Sequence, residues 1–191
     1  LYDSQPRVAG DEQDVLEGID TSLRRLAAFA TGQEAKVPTL GTDLDAIEAS
    51  ARAAIEAFDA RATHKTLPHI TRGLGQVRAL RTAVAGSTLT ADARAEIVWR
   101  LDRKERDFMK ALELAQGVVT HITVPDGNVV RGQTFDVMAQ VFNTGTEPMS
   151  VDEVSLQVPE GWTAVLKQGQ PVALKHNEAA TLLYSVTVGP N

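Results

Sequence analysis

The stretch GQTFDVMAQVFNTGTEPMSVDEVSLQVPEGWTAV, residues Gly132–Val165, decides the fold. Phe135, Val137, Ala139 and Val141 alternate with Asp136, Met138 and Gln140. That is the period-2 pattern of a strand with one buried face. Asn143-Thr144-Gly145 supplies turn chemistry. Val154, Leu156 and Val158 alternate with Ser155 and Gln157 and predict a second strand. Pro159-Glu160-Gly161 breaks that strand, and Trp162 follows at once. The pattern is the centre of a small β-sandwich, a scaffold without a reactive constellation.

The flanks extend it. Val118, Thr120, Ile122 and Val124 alternate with Val119, His121 and Thr123 before a Pro125-Asp126-Gly127 turn. Val129-Val130 predicts a short strand. Ala164 to Leu166 and Val172 to Leu174 predict two more, separated by Gly169-Gln170-Pro171. Leu182, Tyr184, Val186 and Val188 alternate along the last. Six or seven short, evenly spaced strands read as an immunoglobulin-like sandwich over 118–191. Trp162, directly after a turn, is expected to plug its core; a sugar-stacking platform is the alternative.

The first 117 residues have a different character. They hold most of the charged residues, whereas valines crowd the remainder. Charged, Ala-rich sequence favours helix and β-branched sequence favours strand. Residues 1–10 (LYDSQPRVAG) lack periodicity and read as a linker or tail. Over 11–117, four apolar stripes follow at helical spacing. They are Val15, Ile19, Leu23, Leu26 and Phe29; Leu44, Ile47, Ala51, Ile55 and Phe58; Ile70, Leu74, Val77, Leu80 and Val84; and Ile97, Leu101, Phe108 and Leu112. Gly32 and Gly86 are placed to end helices, and Pro68 suits a first turn. Thr42 with Asp45 resembles a capping box, and Thr90 is an N-cap candidate. The last helix, running to about Gln116, should be roughly 39 Å long. Short loops between amphipathic helices predict an antiparallel up-and-down bundle. The whole chain is thus an α+β, multidomain arrangement, with about four helices preceding the sandwich.

Composition narrows function. The chain has 191 residues and a net charge of −6, which argues against nucleic acid and anionic membrane as partners. No apolar run approaches the roughly 20 residues needed to span a bilayer. With no cysteine, disulfides, thiolate metal sites and cysteine nucleophiles are excluded. The chain starts at Leu1 with no signal-like segment and is expected to be a piece of a longer protein. His64, His69, His121 and His176 show no metal-site spacing. No Gly-x-Ser-x-Gly elbow occurs, and no carboxylate pair stands out. Arg103-Lys104-Glu105-Arg106-Asp107 alternates in sign and reads as a solvated helix face. Gly73-Leu74-Gly75 reads as close helix packing, since a dinucleotide loop would need a preceding strand.

Two stretches resemble a known family. LEGIDTSLRRLAAFA (Leu16 to Ala30) and KERDFMKALELAQGV (Lys104 to Val118) are similar to segments downstream of the catalytic domain in LmbE-like, or PIG-L, zinc-dependent de-N-acetylases. In the first, Leu16 stands where an aromatic is more usual. Gly132 to Trp162 further resembles the NPCBM-associated accessory module found beside α-galactosidase and carbohydrate-binding modules. The family's His-Pro-Asp-Asp zinc motif has no counterpart here, so no catalytic, cofactor-binding or metal residue can be carried over. The resemblance implies a non-catalytic accessory region of a secreted or periplasmic N-deacetylase, with zinc in a catalytic domain outside this chain. That N-terminal catalytic domain is the implied partner. A carbohydrate-binding module, with Trp162 as the contact, and a stand-alone adhesion or assembly protein are the alternatives.

Overall fold

A computed structural model describes residues 20–190. Among the described residues, three α-helices, α1 (Leu40–Glu56), α2 (Leu67–Ala85) and α3 (Ala91–Gln116), precede six strands. The strands are β1 (Val118–Thr123), β2 (Thr134–Asn143), β3 (Met149–Val151), β4 (Thr163–Gln168), β5 (Val172–Leu174) and β6 (Ala179–Thr187). Short 3-10 segments occupy Leu23–Ala30, Glu34–Lys36 and Thr63–Thr66. The chain divides into two compact units. One takes residues up to Ala57 together with Pro68–Met109; the other takes Phe58–Leu67 with Lys110 onward.

In the first unit the helical stripes decide what is buried. Leu44, Ile47, Val77, Val84, Ile97 and Leu101 are almost completely enclosed. The sign-alternating run on α3 resolves into ion pairs: Glu105 takes Arg78 at 2.7 Å, Asp102 pairs with Arg81, and Lys104 with Asp107 at 2.8 Å. These pairs are partly exposed, and each contributes only a few tenths of a kcal/mol to about 1 kcal/mol.

Gly73 explains the glycine pair. A Cβ there would sit 2.6 Å from Cζ of Phe108 and closer still to Cε1. The buried Phe108 ring therefore lies directly against the backbone of α2. Gly75, by contrast, faces open space. Gly73→Ala gains about 1 kcal/mol of helix propensity but overpacks the ring at about 1–3 kcal/mol. The expected net result is a loss in urea unfolding, which Phe108→Leu in the same chain should relieve.

Several helical expectations need correction. Val15 and Ile19 lie outside the described residues, as does the 1–10 tail. The described part of the first helix is a 3-10 segment that buries Leu26 and Ala30, while Phe29 lies half out beneath the Arg100 guanidinium at 4.4 Å. Its start is tied by the Leu23 N–H, which donates to Glu48 Oε2 at 2.8 Å. Arg52 and that N–H hold the Glu48 carboxyl below its usual range. Helix α1 starts at Leu40, not Thr42, whose hydroxyl donates back to the Thr39 carbonyl instead of capping. Its stripe ends in Ser50, which donates to Gln76 Oε1. Ile55 and Phe58 are 75% and 63% exposed: the helix stops at Glu56, and Phe58 falls beyond it. The Thr90 hydroxyl is taken by Gln33 Nε2, while the Thr90 N–H donates to Gln33 Oε1, so the cap is a glutamine bridge.

In the second unit an antiparallel four-stranded sheet runs in the order β1-β2-β6-β4, and β3 pairs with β5. Both sheets contribute to one core. Val137, Ala139 and Val141 from β2 meet Leu182, Tyr184 and Val186 from β6, with Val151 and Leu174 from the smaller sheet. The register places Val137 opposite Tyr184 and Ala139 opposite Leu182, so the predicted alternation falls on the core face. Val154, Leu156 and Val158 do pack against this core, but their stretch forms no ladder. The paired segment is the unforeseen Met149–Val151. Val129-Val130 is likewise no strand. A three-residue ladder leaves too short a signal for period 2 to register, whereas an unpaired extended segment imitates it.

Candidate functional site

Trp162 is set by the turn before it, where its N–H donates to the Pro159 carbonyl at 3.1 Å. The indole is half-buried against the core and meets Phe135 edge-on, with centroids 6.3 Å apart and planes at 86°. Phe135 and Ala164 both pair with Val186, so the ring closes one end of that row. An edge-to-face pair of this kind contributes about 0.5–1.5 kcal/mol beyond area burial. Trp162→Ala is expected to cost about 2–4 kcal/mol in urea unfolding, near the lower end of the range for a fully buried tryptophan. A loss below about 1 kcal/mol would show that the ring's open face matters more than its packed edge.

At the opposite end of β2 a polar knot forms around Asn143, which is fully buried. Its Nδ2 donates to the carbonyls of Glu147 (2.8 Å) and Leu174 (3.2 Å), and its Oδ1 accepts from the Gly145 N–H. The backbone joins in, since the Asn143 N–H donates to Glu178 and its carbonyl accepts from Asn177. Gln116 at the end of α3 donates to the Glu147 carbonyl, and both the N–H and the hydroxyl of Thr144 donate to the Gly117 carbonyl at 2.8 Å. One asparagine thus ties β2 to three segments, the turn at Gly145–Glu147, Leu174 of β5 and the turn at Asn177-Glu178. The Asn143-Thr144-Gly145 turn was legible in sequence; that its first side chain is the centre of the knot was not.

The histidines occupy separate duties. His176 Nδ1 donates to the Gly145 carbonyl at 2.8 Å, and His64 Nδ1 lies 3.3 Å from Thr146 Oγ1. His121 packs against Phe142, with centroids 5.3 Å apart. Among the described residues no group of three or more His, Asp or Glu side chains converges as metal ligands must. Nor is any described helix long and apolar enough to cross a membrane.

The outward face of the larger sheet carries Phe142, Gln140, Met138 and Asp136 from β2, beside His121 from β1 and Thr181 from β6. Gln140 Nε2 lies 3.4 Å from Thr181 Oγ1, and Lys167 holds Asp136 at 2.9 Å. Gln140 and Thr181 thus give this face one amide and one hydroxyl beside the His121–Phe142 aromatic pair.

Tyr184 reaches out of the core to donate its hydroxyl to the Val154 carbonyl. This anchors the unpaired Val154–Val158 stretch. Burial, aided by the negative charge of Glu153, pushes the phenol above its usual pKa. The folded chain therefore holds this proton more tightly than the unfolded chain. The corresponding stability is fully present below about pH 10 and is lost as pH rises through the folded value. Tyr184→Phe should flatten the alkaline fall of an unfolding-versus-pH curve, at a cost of about 1 kcal/mol at neutral pH.

Comparison with known families gives one finding. Residues 129–191 match the family described as NPCBM-associated, NEW3 domain of alpha-galactosidase. No curated protein and no solved structure gives a significant match. The matched span runs from just before β2 to the end of the chain, taking in Asn143, Trp162 and Tyr184.

Proposed function

We propose that the chain is a non-catalytic accessory and interaction region of a larger carbohydrate-active enzyme. The match of residues 129–191 to a module associated with alpha-galactosidase carries the reading. The structural roles of the polar residues within that span support it. Asn143, Tyr184 and Thr144 are spent on holding loops, and Asp136 on an ion pair. We read its two-sheet core as an immunoglobulin-like sandwich. More finely, we take the parent to be a secreted or periplasmic zinc-dependent N-deacetylase of the PIG-L kind, on the Leu16–Ala30 and Lys104–Val118 resemblances. Zinc would then belong to that parent's catalytic domain. The accessory region would act by contact area and orientation, as inter-domain interfaces of about 600–1,500 Å² do.

The test compares the parent enzyme with a version ending before residue 11. The accessory role predicts that the shortened enzyme still forms its catalytic site but melts lower or accepts a narrower substrate range. Unchanged melting and unchanged substrate range would refute it. Direct carbohydrate binding is the second reading, favoured by the His121–Phe142–Gln140–Thr181 face. Micromolar retention of the isolated chain on insoluble polysaccharide would establish it.

A further inference from the structure

A groove of about 500 Å³ opens in the helical unit, between the segment Thr21–Leu26 and one face of α3. That volume lies within the range of small-ligand sites. Its wall on α3 is Trp99, Arg100, Arg103 and Lys104; the opposite wall adds Arg25 and the side chains of Thr21 and Ser22. Among the described residues, four cations and no carboxylate line it, although the chain as a whole carries a net charge of −6. Trp99 is 53% exposed, an unusual position for an indole that no core requires.

The cations are arrayed around the ring. The guanidiniums of Arg100 and Arg103 stand 5.4 and 5.3 Å from the Trp99 centroid, and Arg100 also covers Phe29. Stacking of this kind pre-orients a guanidinium while leaving its N–H edges free for an anion. Arg100 and Lys104 are partly neutralised by Glu96 and Asp107. Arg103 pairs with no carboxylate among the described residues, so its charge is available to the groove.

We propose that this groove binds an acidic saccharide, its carboxylate held by Arg103 with Arg25 and its C–H face laid on Trp99. The anion follows from the lining itself; the saccharide rests on the accessory-module reading above. A neutral sugar would leave Arg25 and Arg103 without a charge partner among the described residues. A nucleic acid would meet the acids interleaved along α3, Glu96, Asp102, Glu105 and Asp107, at close range.

The test uses the full 191-residue chain with Trp162→Phe, so that Trp99 is the sole tryptophan and reports by fluorescence. A uronate tetramer, oligogalacturonate, is titrated beside neutral maltotetraose and inorganic sulfate. The expected result is saturable, salt-sensitive quenching by the uronate at concentrations at least tenfold below those needed for the other two. Arg103→Glu should weaken uronate binding at least about tenfold, and Arg103→Lys by less, because a point charge replaces a fork. Calorimetry on Trp99→Ala, with helix content checked by circular dichroism, should show a several-fold loss. Equal affinity for maltotetraose, or unchanged affinity in Arg103→Glu, overturns the proposal. Sulfate binding as tightly as the uronate overturns its saccharide part. None of these outcomes depends on how the shortened parent enzyme behaves, so the two readings fail separately.

Discussion

Gly145→Ala should be the most damaging single methyl group in the β-module, lowering stability by about 3–5 kcal/mol. A Cβ at Gly145 would lie 2.8 Å from the carbonyl carbon of Gln116 and nearer still to its oxygen. The obstacle is backbone, so no side chain can swing aside. The facing residue is equally constrained. Gly117 has φ +77°, and a Cβ there would come within 2.5 Å of the Gly145 nitrogen. The two glycines therefore let the end of α3 touch the turn after β2 backbone to backbone. Relieving the clash means separating them, which stretches both hydrogen bonds from Thr144 to Gly117 and the one from Gln116 to Glu147. Urea unfolding measures the loss, with Gly75→Ala as control. Gly75 meets nothing within 4 Å and lies in a helix, so alanine there should add up to about 1 kcal/mol of stability. A loss below about 1 kcal/mol for Gly145→Ala would mean that the turn and the helix end are not in register as described.

The same two glycines show how far sequence carries. Gly117 was readable as the change from helix to strand, and Gly145 as part of a turn. Each was read locally. Their mutual contact depends on the pairing of Val118 with Asn143, a relation no local window contains. Two long repeating signals were sufficient, whereas the alternation Val118–Val124 located β1 but not its burial, since Ile122 and Val124 are exposed. Ile70, Leu74, Val77, Leu80 and Val84 repeat at helical spacing and are all buried. Phe135 to Val141 alternates and lines the core. Where the signal is short or is borrowed by an unpaired segment, it misled, as at Met149–Val151 and Val154–Val158. The stripe through Ile55 and Phe58 failed because periodicity does not say where a helix stops.

The candidate sites follow the same rule. Trp162 was noticed because a turn and an apolar module surround it in sequence. Trp99 was not, because the segment that shares its groove, Thr21–Leu26, lies more than seventy residues away in sequence. The only hint was a tryptophan off the Ile97–Leu101–Phe108 stripe, flanked by arginine. An aromatic on the polar side of an amphipathic helix is a signal worth weighing, since packing gives it no reason to be there.

Asn143→Asp is expected to cost about 3–5 kcal/mol at neutral pH, although it changes only an amide to a carboxyl. The Asn143 amide faces two carbonyls as a donor and one N–H as an acceptor, and the Gly145 N–H on Oδ1 fixes which way it points. A carboxylate keeps the acceptor role but turns an oxygen toward the carbonyls of Glu147 and Leu174, in a site closed to water. Both carbonyls lose their donor, and a buried negative charge is added. Protonation repairs part of this, since the neutral acid can donate once. Burial and the facing carbonyls should therefore raise the pKa of the new carboxyl in the folded state above its unfolded value of about 3.9. The folded chain then binds the proton more tightly. The penalty relative to the parent chain is smallest below about pH 4 and grows as pH rises through the folded value. Urea unfolding of both chains at pH 4 and pH 7 measures it. A gap that widens between the two supports the donor role of Asn143. A gap independent of pH would mean that the new carboxyl is neither desolvated nor turned toward the carbonyls, and the donor role of the Asn143 amide would fall, leaving the knot to its backbone bonds with Asn177 and Glu178 and to Thr144 and Gln116.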